Sequence, residues 1–339
     1  MPEGRKRAGG PGAVKRREFI ISLLGGAAVS WPLAARAQQP GKVHRVGVLF
    51  TVSGEGSVAD HAFRSGLRER GYIEGQNIAF EFRTAAGKYD DLPRLATELV
   101  ALNLDVIFAP AEAALRACLQ VAHTIPIVMA AVEYDPVEVG LITSIARPGG
   151  NVTGVIFSQV ETSGKRLELL KEAAPGISRV AVLVEGGGRF QLQETERAAR
   201  LLGITLKVID LRGPADFDPA FEAALHEQVG GLIVLVSPVT YAYRAKIASL
   251  AIQNRLPVIA PFGEFAEDGG LLTYGASLAT MFHFVAAYYV DRILQGAKLV
   301  DLPIQQPTKL EFSINLKTAR AIGLTVPPHV LAIADRVIE

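Results

Sequence analysis

The sequence predicts an α/β chain of two doubly wound lobes, each a mostly parallel sheet covered on both faces by helices. Three observations predict it. Short β-rich apolar runs alternate with helical patterns of about 10–15 residues, the signature of βαβ units. That rhythm runs twice through the chain. Leu104-Asp105-Val106-Ile107-Phe108-Ala109-Pro110 matches Leu232-Ile233-Val234-Leu235-Val236-Ser237-Pro238, and Ile125-Pro126-Ile127-Val128 matches Leu256-Pro257-Val258-Ile259. Between the halves lies Arg147-Pro148-Gly149-Gly150-Asn151, a turn-rich stretch that suits a crossover.

In the first half, residues 46–50 read as a buried strand and 58–70 as a helix closed by Gly71. Ile78, Phe80 and Phe82 alternate with polar residues over 77–83, a half-buried strand. Helix follows at 92–102, strand at 104–109, helix at 111–121 and strand at 126–130. Asp135-Pro136 then precedes a helical run at 137–145, with Asp suited to the cap and Pro to the first helical position. The second half gives strand at 179–184, helix at 191–202 closed by Gly203, and strand at 204–211. It continues with helix at 217–228, strand at 231–236, helix at 241–254 and strand at 257–261. The tail offers one long helix at 279–294, a Pro-bounded strand at 302–306, a strand at 312–316 and a helix at 317–322. These last pieces are too few for a core of their own, so they are expected to dock onto the lobes. A chain that passes between lobes several times makes a hinge.

The first forty residues differ from the rest. Lys15-Arg16-Arg17 stands before the apolar stretch 19–33, and Ala35-Arg36-Ala37 supplies the small residues a signal peptidase reads. Pro32, Ala34 and Arg36 cut the stretch short of the ~20 apolar residues a membrane span needs. Residues 1–37 therefore read as a signal peptide, cleaved after Ala37, with the mature protein in the periplasm. The arginine pair followed by x-Phe-Ile resembles a twin-arginine signal, which makes that export machinery the expected partner. Val14 is the expected true start. Cleavage leaves 302 residues with 28 basic against 32 acidic, a net of −4. Such a balance has no electrostatic footprint for nucleic acid or anionic lipid. Cys118 is the only cysteine, which excludes an intramolecular disulfide, and its apolar helical setting reads as a buried, inert thiol.

Chemistry-bearing motifs are missing. Gly186-Gly187-Gly188 sits where a dinucleotide loop would, but Gln191 occupies the place of the third glycine, so it reads as a tight turn. Gly164-Lys165 is not a phosphate loop, because Gln159 replaces the upstream glycine and Arg166 follows the lysine. No nucleophile elbow or zinc-protease motif occurs, and the six histidines stand singly. No cofactor, metal or catalytic set is expected, and the chain reads as a non-enzyme.

Three strings resemble signatures of the ABC-transporter substrate-binding family that includes tryptophan- and tyrosine-binding members. They are Gly71-Tyr72-Ile73-Glu74-Gly75-Gln76-Asn77, Arg147-Pro148-Gly149-Gly150-Asn151-Val152-Thr153-Gly154 and Ile314-Asn315-Leu316-Lys317-Thr318-Ala319-Arg320-Ala321-Ile322-Gly323. With Ile125-Pro126-Ile127-Val128 and Thr273-Tyr274-Gly275, the similarity runs in order over nearly the whole mature chain. The resemblance implies the type I periplasmic-binding fold, with three crossovers and the ligand held between lobes. It implies an N-terminal lobe of 43–147 plus 277–300 and a C-terminal lobe of 149–276 plus 307–339. It also implies a role as the solute-binding component of an importer, with an inner-membrane ABC permease as partner. The family often carries an Asp just after the strand matching 231–236. Here Pro238-Val239-Thr240 has no carboxylate, which leaves the ligand open.

Ligands of open α/β sheets bind beyond the carboxyl ends of strands. The candidates at those ends are Phe50, Thr51, Ala111, Glu112, Tyr134, Asp135 and Ser158 in the first half, with Pro110 and Phe157 beside them. The second half supplies Glu185, Phe190, Ser237, Thr240, Phe262 and Tyr274, with Arg189 and Glu264 nearby. Each also has a plain reading: the phenylalanines cap sheets, Glu112 and Thr240 favour helix starts, and Asp135 is an N-cap. Helices starting near Ala111 and Thr240 are expected to aim free N–H groups at a ligand carboxylate. Glu112, Asp135, Glu185 and Glu264 are the candidates to hold an ammonium. Together these favour a small carboxylate with an apolar body, an aromatic or branched amino acid first and an aromatic acid second. A periplasmic enzyme on a doubly wound fold and a ligand-sensing module for a receptor are the alternatives.

Overall fold

The computed structural model describes residues 42–52, 54–186 and 188–339. The signal peptide, its cleavage after Ala37, the arginine pair and the Val14 start lie outside the described residues.

The first sheet comprises β1 (His44–Phe50), β2 (Ile78–Thr84), β3 (Val106–Ala109), β4 (Ile127–Ala131) and β5 (Val152–Ile156). Its order is β2-β1-β3-β4-β5, parallel throughout. The second sheet holds β6 (Arg179–Glu185), β7 (Thr205–Leu211), β8 (Gly231–Val234), β9 (Val258–Ala260), β10 (Leu272–Gly275), β11 (Glu311–Asn315) and β12 (Arg336–Ile338). Its order is β12-β11-β10-β9-β8-β6-β7, parallel except where β11 runs against β10. Strands β6 to β10 thus repeat the winding of β1 to β5, each half starting at an inner strand, stepping outward once and then growing the other way. Alternation decides which face each side chain covers. On β1, Val46, Val48 and Phe50 join one apolar cluster with Phe63, Phe108 and Phe282, while Leu49 joins the other with Leu99, Ile107 and Leu115. Phe63 stacks on Phe108 at 4.7 Å between ring centroids, and Phe282 meets Phe108 edge-on at 5.2 Å.

The chain passes between the sheets three times, as the type I periplasmic-binding fold requires. It leaves the first sheet after β5, returns after β10, and leaves again between Gln305 and β11. In the returning stretch, the helical run 278–294 lies against the helix Val58–Glu69. A side chain at Gly66 would collide with the His283 carbonyl, so glycine permits this close crossing.

Several expectations need correction. The first crossover does not fall at 147–149, because Val152–Ile156 pairs with Ile127–Ala131 inside the first sheet. The Thr143 hydroxyl folds the Pro-Gly stretch back through the Arg147 and Pro148 carbonyls, and Asn151 Nδ2 donates to the carbonyls of Ala122 and Ile125. The first lobe likewise runs beyond residue 300, since Gln305 bridges to Val155. That bridge is all that forms of the strand expected at 302–306. The helical run expected at 137–145 is a set of turns, interrupted by Gly140 at φ 72°. The helix expected at 241–254 splits into Pro238–Ala242 and Arg244–Gln253, because Ser237 starts a helix early. Strands β5 and β10 and the helix Gln159–Ala173 were not anticipated. Among the described residues, no helix is long and apolar enough to cross a membrane.

Candidate functional site

The carboxyl ends of β1, β3 and β4 face those of β6, β8 and β9 across a cleft holding two adjoining cavities. The inner one encloses about 450 Å³, counting space open to solvent, and is walled by Phe50, Ala59, Pro110, Val132, Val236, Tyr241, Phe262, Leu278 and Phe282. Thr51, Ala111, Glu133, Ser237 and Pro238 complete it. The outer one encloses about 730 Å³ on the same measure and carries the charged side chains, bordered by Tyr89, Glu112, Arg116, Glu185, Gly186 and Gly188. Ala111, Glu133, Val236, Ser237 and Pro238 border both. A cleft that is apolar at one end, with a few convergent polar groups at the other, is the setting that takes a small organic ligand.

The charge in the outer cavity is acidic. Glu112 is ion-paired to Arg116 at 2.7 Å, and the Arg116 guanidinium also donates to the Val139 carbonyl. Glu133 and Glu185 have no ion-pair partner among the described residues. Glu133 is only 9% exposed, and its Oε1 accepts the Glu112 backbone N–H at 2.9 Å. Burial pushes the Glu133 carboxyl up to about 7, against the pull of backbone N–H donors, and the charges of Glu112 and Glu185 add to the rise. Glu185 Oε2 accepts the Val239 N–H at 3.4 Å, and its Oε1 accepts the Tyr89 hydroxyl at 3.1 Å. Burial, then the Glu185 charge and hydrogen bond, push the Tyr89 phenol up.

The helix starts at Ala111 and Ser237 are therefore not both free to take a ligand carboxylate, as expected from the sequence. Each has one N–H held by a glutamate of its own lobe. The second is further closed by a capping box, in which the Ser237 hydroxyl accepts the Thr240 N–H and the Thr240 hydroxyl accepts the Ser237 N–H. The helix Arg189–Leu202 differs. Its cap residue Gly188 lines the outer cavity and supplies no side-chain cap. A side chain at Gly188 would stand 2.6 Å from a Val184 methyl, so glycine keeps this turn close to β6.

The lobes are tied across the cleft. Gln191, fully buried on the second lobe, donates from Nε2 to the Glu133 carbonyl of the first lobe and to the Val236 carbonyl, both at 3.2 Å. Its Oε1 accepts the Val236 N–H at 3.2 Å. The Tyr89–Glu185 bond makes a second tie near the mouth. Phe157, at the first crossover, touches Phe262 of one lobe and Phe282 of the other edge-on, each at 6.2 Å.

Of the residues expected at the site, Phe50, Thr51, Ala111, Glu112, Glu185, Ser237 and Phe262 border the two cavities, as does Pro110. Thr240 is used up in its cap and borders a smaller cavity behind Phe262. The remaining candidates border neither main cavity. Tyr134 is buried in the core beneath β4, its hydroxyl 3.9 Å from the Met129 sulfur. Asp135 caps the following turns through the N–H groups of Val137 and Glu138. Ser158 adopts a left-handed φ of 53° to enter the helix Gln159–Ala173. Phe190 lies under the Arg189 guanidinium at 5.2 Å. Tyr274 sets its ring edge against Phe312, and its carbonyl takes a bond from Arg166. Glu264 is half-buried in the first turn of the helix Gly263–Glu267, and desolvation raises its carboxyl. Sequence reasoning missed Glu133, Tyr89, Tyr241 and Phe282, and it counted Gln191 only as a missing glycine.

A profile of the family described as ABC transporter substrate binding protein matches residues 45–338. The chain belongs to this substrate-binding family. Among its relatives, a tyrosine-binding protein of Clostridioides difficile is 26% identical over 275 residues, covering 78% of this chain and 76% of that protein. A conserved domain protein from Vibrio cholerae, solved as a crystal structure, is 28% identical with a TM-score of 0.77, covering 87% of this chain and 100% of that one. An ABC domain from Streptococcus pneumoniae, solved in complex with L-Trp, is 23% identical with a TM-score of 0.78, covering 87% and 99%. This last likeness is one of fold. Inside the substrate-binding family, the three signature strings serve the scaffold. Asn77 ties its own turn by accepting from the Ile73 N–H and donating to the Gly71 carbonyl. Asn315 caps its helix through the Thr318 N–H and donates to the Ala266 carbonyl. Gly154 holds φ 140° where any side chain would strike the Met129 carbonyl.

Proposed function

We propose that this substrate-binding protein receives an aromatic or branched amino acid in the cleft and delivers it to an ABC permease for import. The observation that carries the reading is the joined pair of cavities, one apolar and one acidic, with Glu133 in their common wall. The apolar body of the ligand occupies the inner cavity, where Phe50, Phe262 and Phe282 offer ring faces and edges. Its ammonium faces Glu133 and Glu185. Its carboxylate faces the start of the helix Arg189–Leu202, whose dipole and uncapped N–H groups favour an anion. The relative named for tyrosine binding supports an aromatic ligand. The protein works by binding and release, without turnover, in the periplasm after loss of residues 1–37. Replacing Arg16 and Arg17 by Lys blocks export only if the route is the twin-arginine one.

Calorimetry with L-tyrosine, L-tryptophan, L-phenylalanine and L-leucine against 3-phenylpropionate tests the ligand class. An amine held by a desolvated carboxylate should contribute about 1.5–3 kcal/mol, so its loss should cost roughly ten- to a hundredfold in affinity. Equal affinity for phenylalanine and phenylpropionate would shift the assignment to an aromatic acid. Recovery of a chemically altered ligand would point to an enzyme.

A further inference from the structure

We propose that Glu133 trades its proton for the ligand's cationic nitrogen, so that binding in the cleft ionises Glu133 and releases one proton to solvent. The proposal rests on the cleft being the ligand site, and it adds a reaction to that site: carboxylic acid plus ammonium ligand gives a carboxylate–ammonium pair plus a free proton.

The geometry carries it. Glu133 stands just beyond β4, nine-tenths buried, in the wall common to both cavities. The groups facing it are mostly acidic or neutral. From the helix Glu112–Val121 come the Glu112 N–H that it accepts, the Glu112 carboxylate, and Arg116, already paired to that carboxylate. From β6 comes Glu185, from the segment after β2 comes Tyr89, and beside it in sequence stands buried Tyr134. From the second lobe Gln191 reaches only its backbone carbonyl. Among the described residues, no unpaired cation faces it. A buried carboxylate with like charges around it and no cation holds its proton more tightly than in water, which agrees with the rise to about 7. A ligand ammonium placed in the outer cavity would supply the missing positive charge. Below about 7, ionisation would then be favoured only in the loaded protein.

The linkage has a fixed sign. Below about 7, the empty cleft holds the proton that the ligand must displace, so affinity should fall about tenfold for each pH unit lost. Above that value Glu133 is already ionised and affinity should level off. The ammonium of a free amino acid stays charged throughout this range.

Calorimetry of L-tyrosine, L-tryptophan and L-phenylalanine at pH 6, in buffers of different ionisation enthalpy, reads the proton directly. The expected result is release of close to one proton per bound ligand, shrinking toward none at pH 8.5, and abolished in Glu133→Gln together with the pH slope. Binding of an amino acid with no proton release would overturn the exchange and leave the amino-acid assignment standing. Equal binding of 3-phenylpropionate would overturn both.

The ligand-free protein gives a second reading should none of these probes bind. A carboxyl whose pKa is higher folded than unfolded takes up a proton on folding, so its stabilisation is complete at low pH and fades as pH rises toward about 7. Between pH 5 and pH 8 the wild type should therefore lose melting temperature relative to Glu133→Gln. Parallel profiles for the two proteins would show that no proton sits on Glu133 and would overturn the exchange. Diverging profiles with no amino acid bound would keep the proton on Glu133 and discard the amino-acid class.

Discussion

The two chambers of the cleft are built from neighbouring residues of the same strand ends, yet they divide the work of recognition. The inner wall is made of rings and aliphatic groups that also belong to the cores: Phe50, Phe282, Phe262 and Val236 all join the apolar cluster of the first sheet. The outer wall adds charged side chains to that frame, and Glu133 and Glu185 each keep one oxygen on the backbone N–H of a helix start. Burial of apolar surface is additive and non-directional, so the inner chamber should set how tightly a ligand binds. Charge and hydrogen bonding are directional, so the outer chamber should set which ligand binds and which way round. Two of its members, Glu133 by its carbonyl and Glu185 by its carboxylate, also accept bonds from the opposite lobe. Selection and closure are thereby joined in the same residues.

The largest effect should come from the inner chamber. Phe262 is 2% exposed, opens the helix Gly263–Glu267, and touches Phe157 and Tyr241 edge-on at 6.2 and 5.6 Å. Phe262→Ala should cost about 3–5 kcal/mol of stability, read by urea unfolding, because the cavity it leaves cannot collapse between two sheets. A loss under about 1 kcal/mol would mean that the ring lines the cleft without supporting the core.

The interlobe tie should come next. Gln191→Ala removes the partners of the Val236 N–H and of the Glu133 and Val236 carbonyls at once. An unpaired buried donor costs about 1–3 kcal/mol. Solution scattering of the ligand-free variant should show a larger radius of gyration than the wild type, as the lobes part about the three crossovers. An unchanged radius with unchanged stability would assign Gln191 to the second lobe alone.

What the sequence revealed follows the same division between short-range and long-range causes. The doubled winding was legible because alternation on β2 and the apolar runs of β1, β3, β4, β8 and β9 are local patterns. Strand β5 was not, because Gly154 interrupts its apolar run for the sake of a contact with Met129 that only the folded sheet creates. The helix Gln159–Ala173 escaped notice because the first half of its buried face is polar, and Leu167, Leu169, Leu170 and Ala173 follow only in the second half. Gln159, Thr162, Ser163 and Arg166 all point inward, so the usual apolar period is missing. Fully buried Arg166 bonds to Gln159, Thr162 and Ser163 and to the Tyr274 carbonyl, which pins the first crossover to the second. No carboxylate pairs with it among the described residues, and burial lowers its guanidinium to about 9. At the site, listing residues beyond strand ends found eight of the twenty-one residues that line the two cavities. It passed over Glu133 because Asp135-Pro136, two residues on, carries the stronger local signal of a cap. Nothing local marks Glu133 as the residue that reaches the start of a helix twenty-one positions earlier.

The smallest effect should be at the mouth, where Tyr89→Phe removes one hydroxyl and leaves the ring. That hydroxyl bridges the lobes to Glu185, a bond to a charged group that would be worth about 1.5–3 kcal/mol if fully desolvated. Tyr89 is, however, 36% exposed, so water competes for both partners and the net contribution should fall to about 0.2–1 kcal/mol. The variant should therefore keep its fold and melting temperature and weaken amino-acid binding by no more than about fivefold, mainly through faster release. Because Glu185 also accepts the Val239 N–H, it should stay in position when the hydroxyl is gone. Loss of the bridge would then register as easier opening, with the preference for an amine over its deaminated analogue unchanged. A variant that binds phenylalanine and phenylpropionate with a narrowed difference would show instead that Tyr89 orients Glu185 for the ammonium. Selectivity would then depend on closure itself, and the outer chamber would discriminate only when shut.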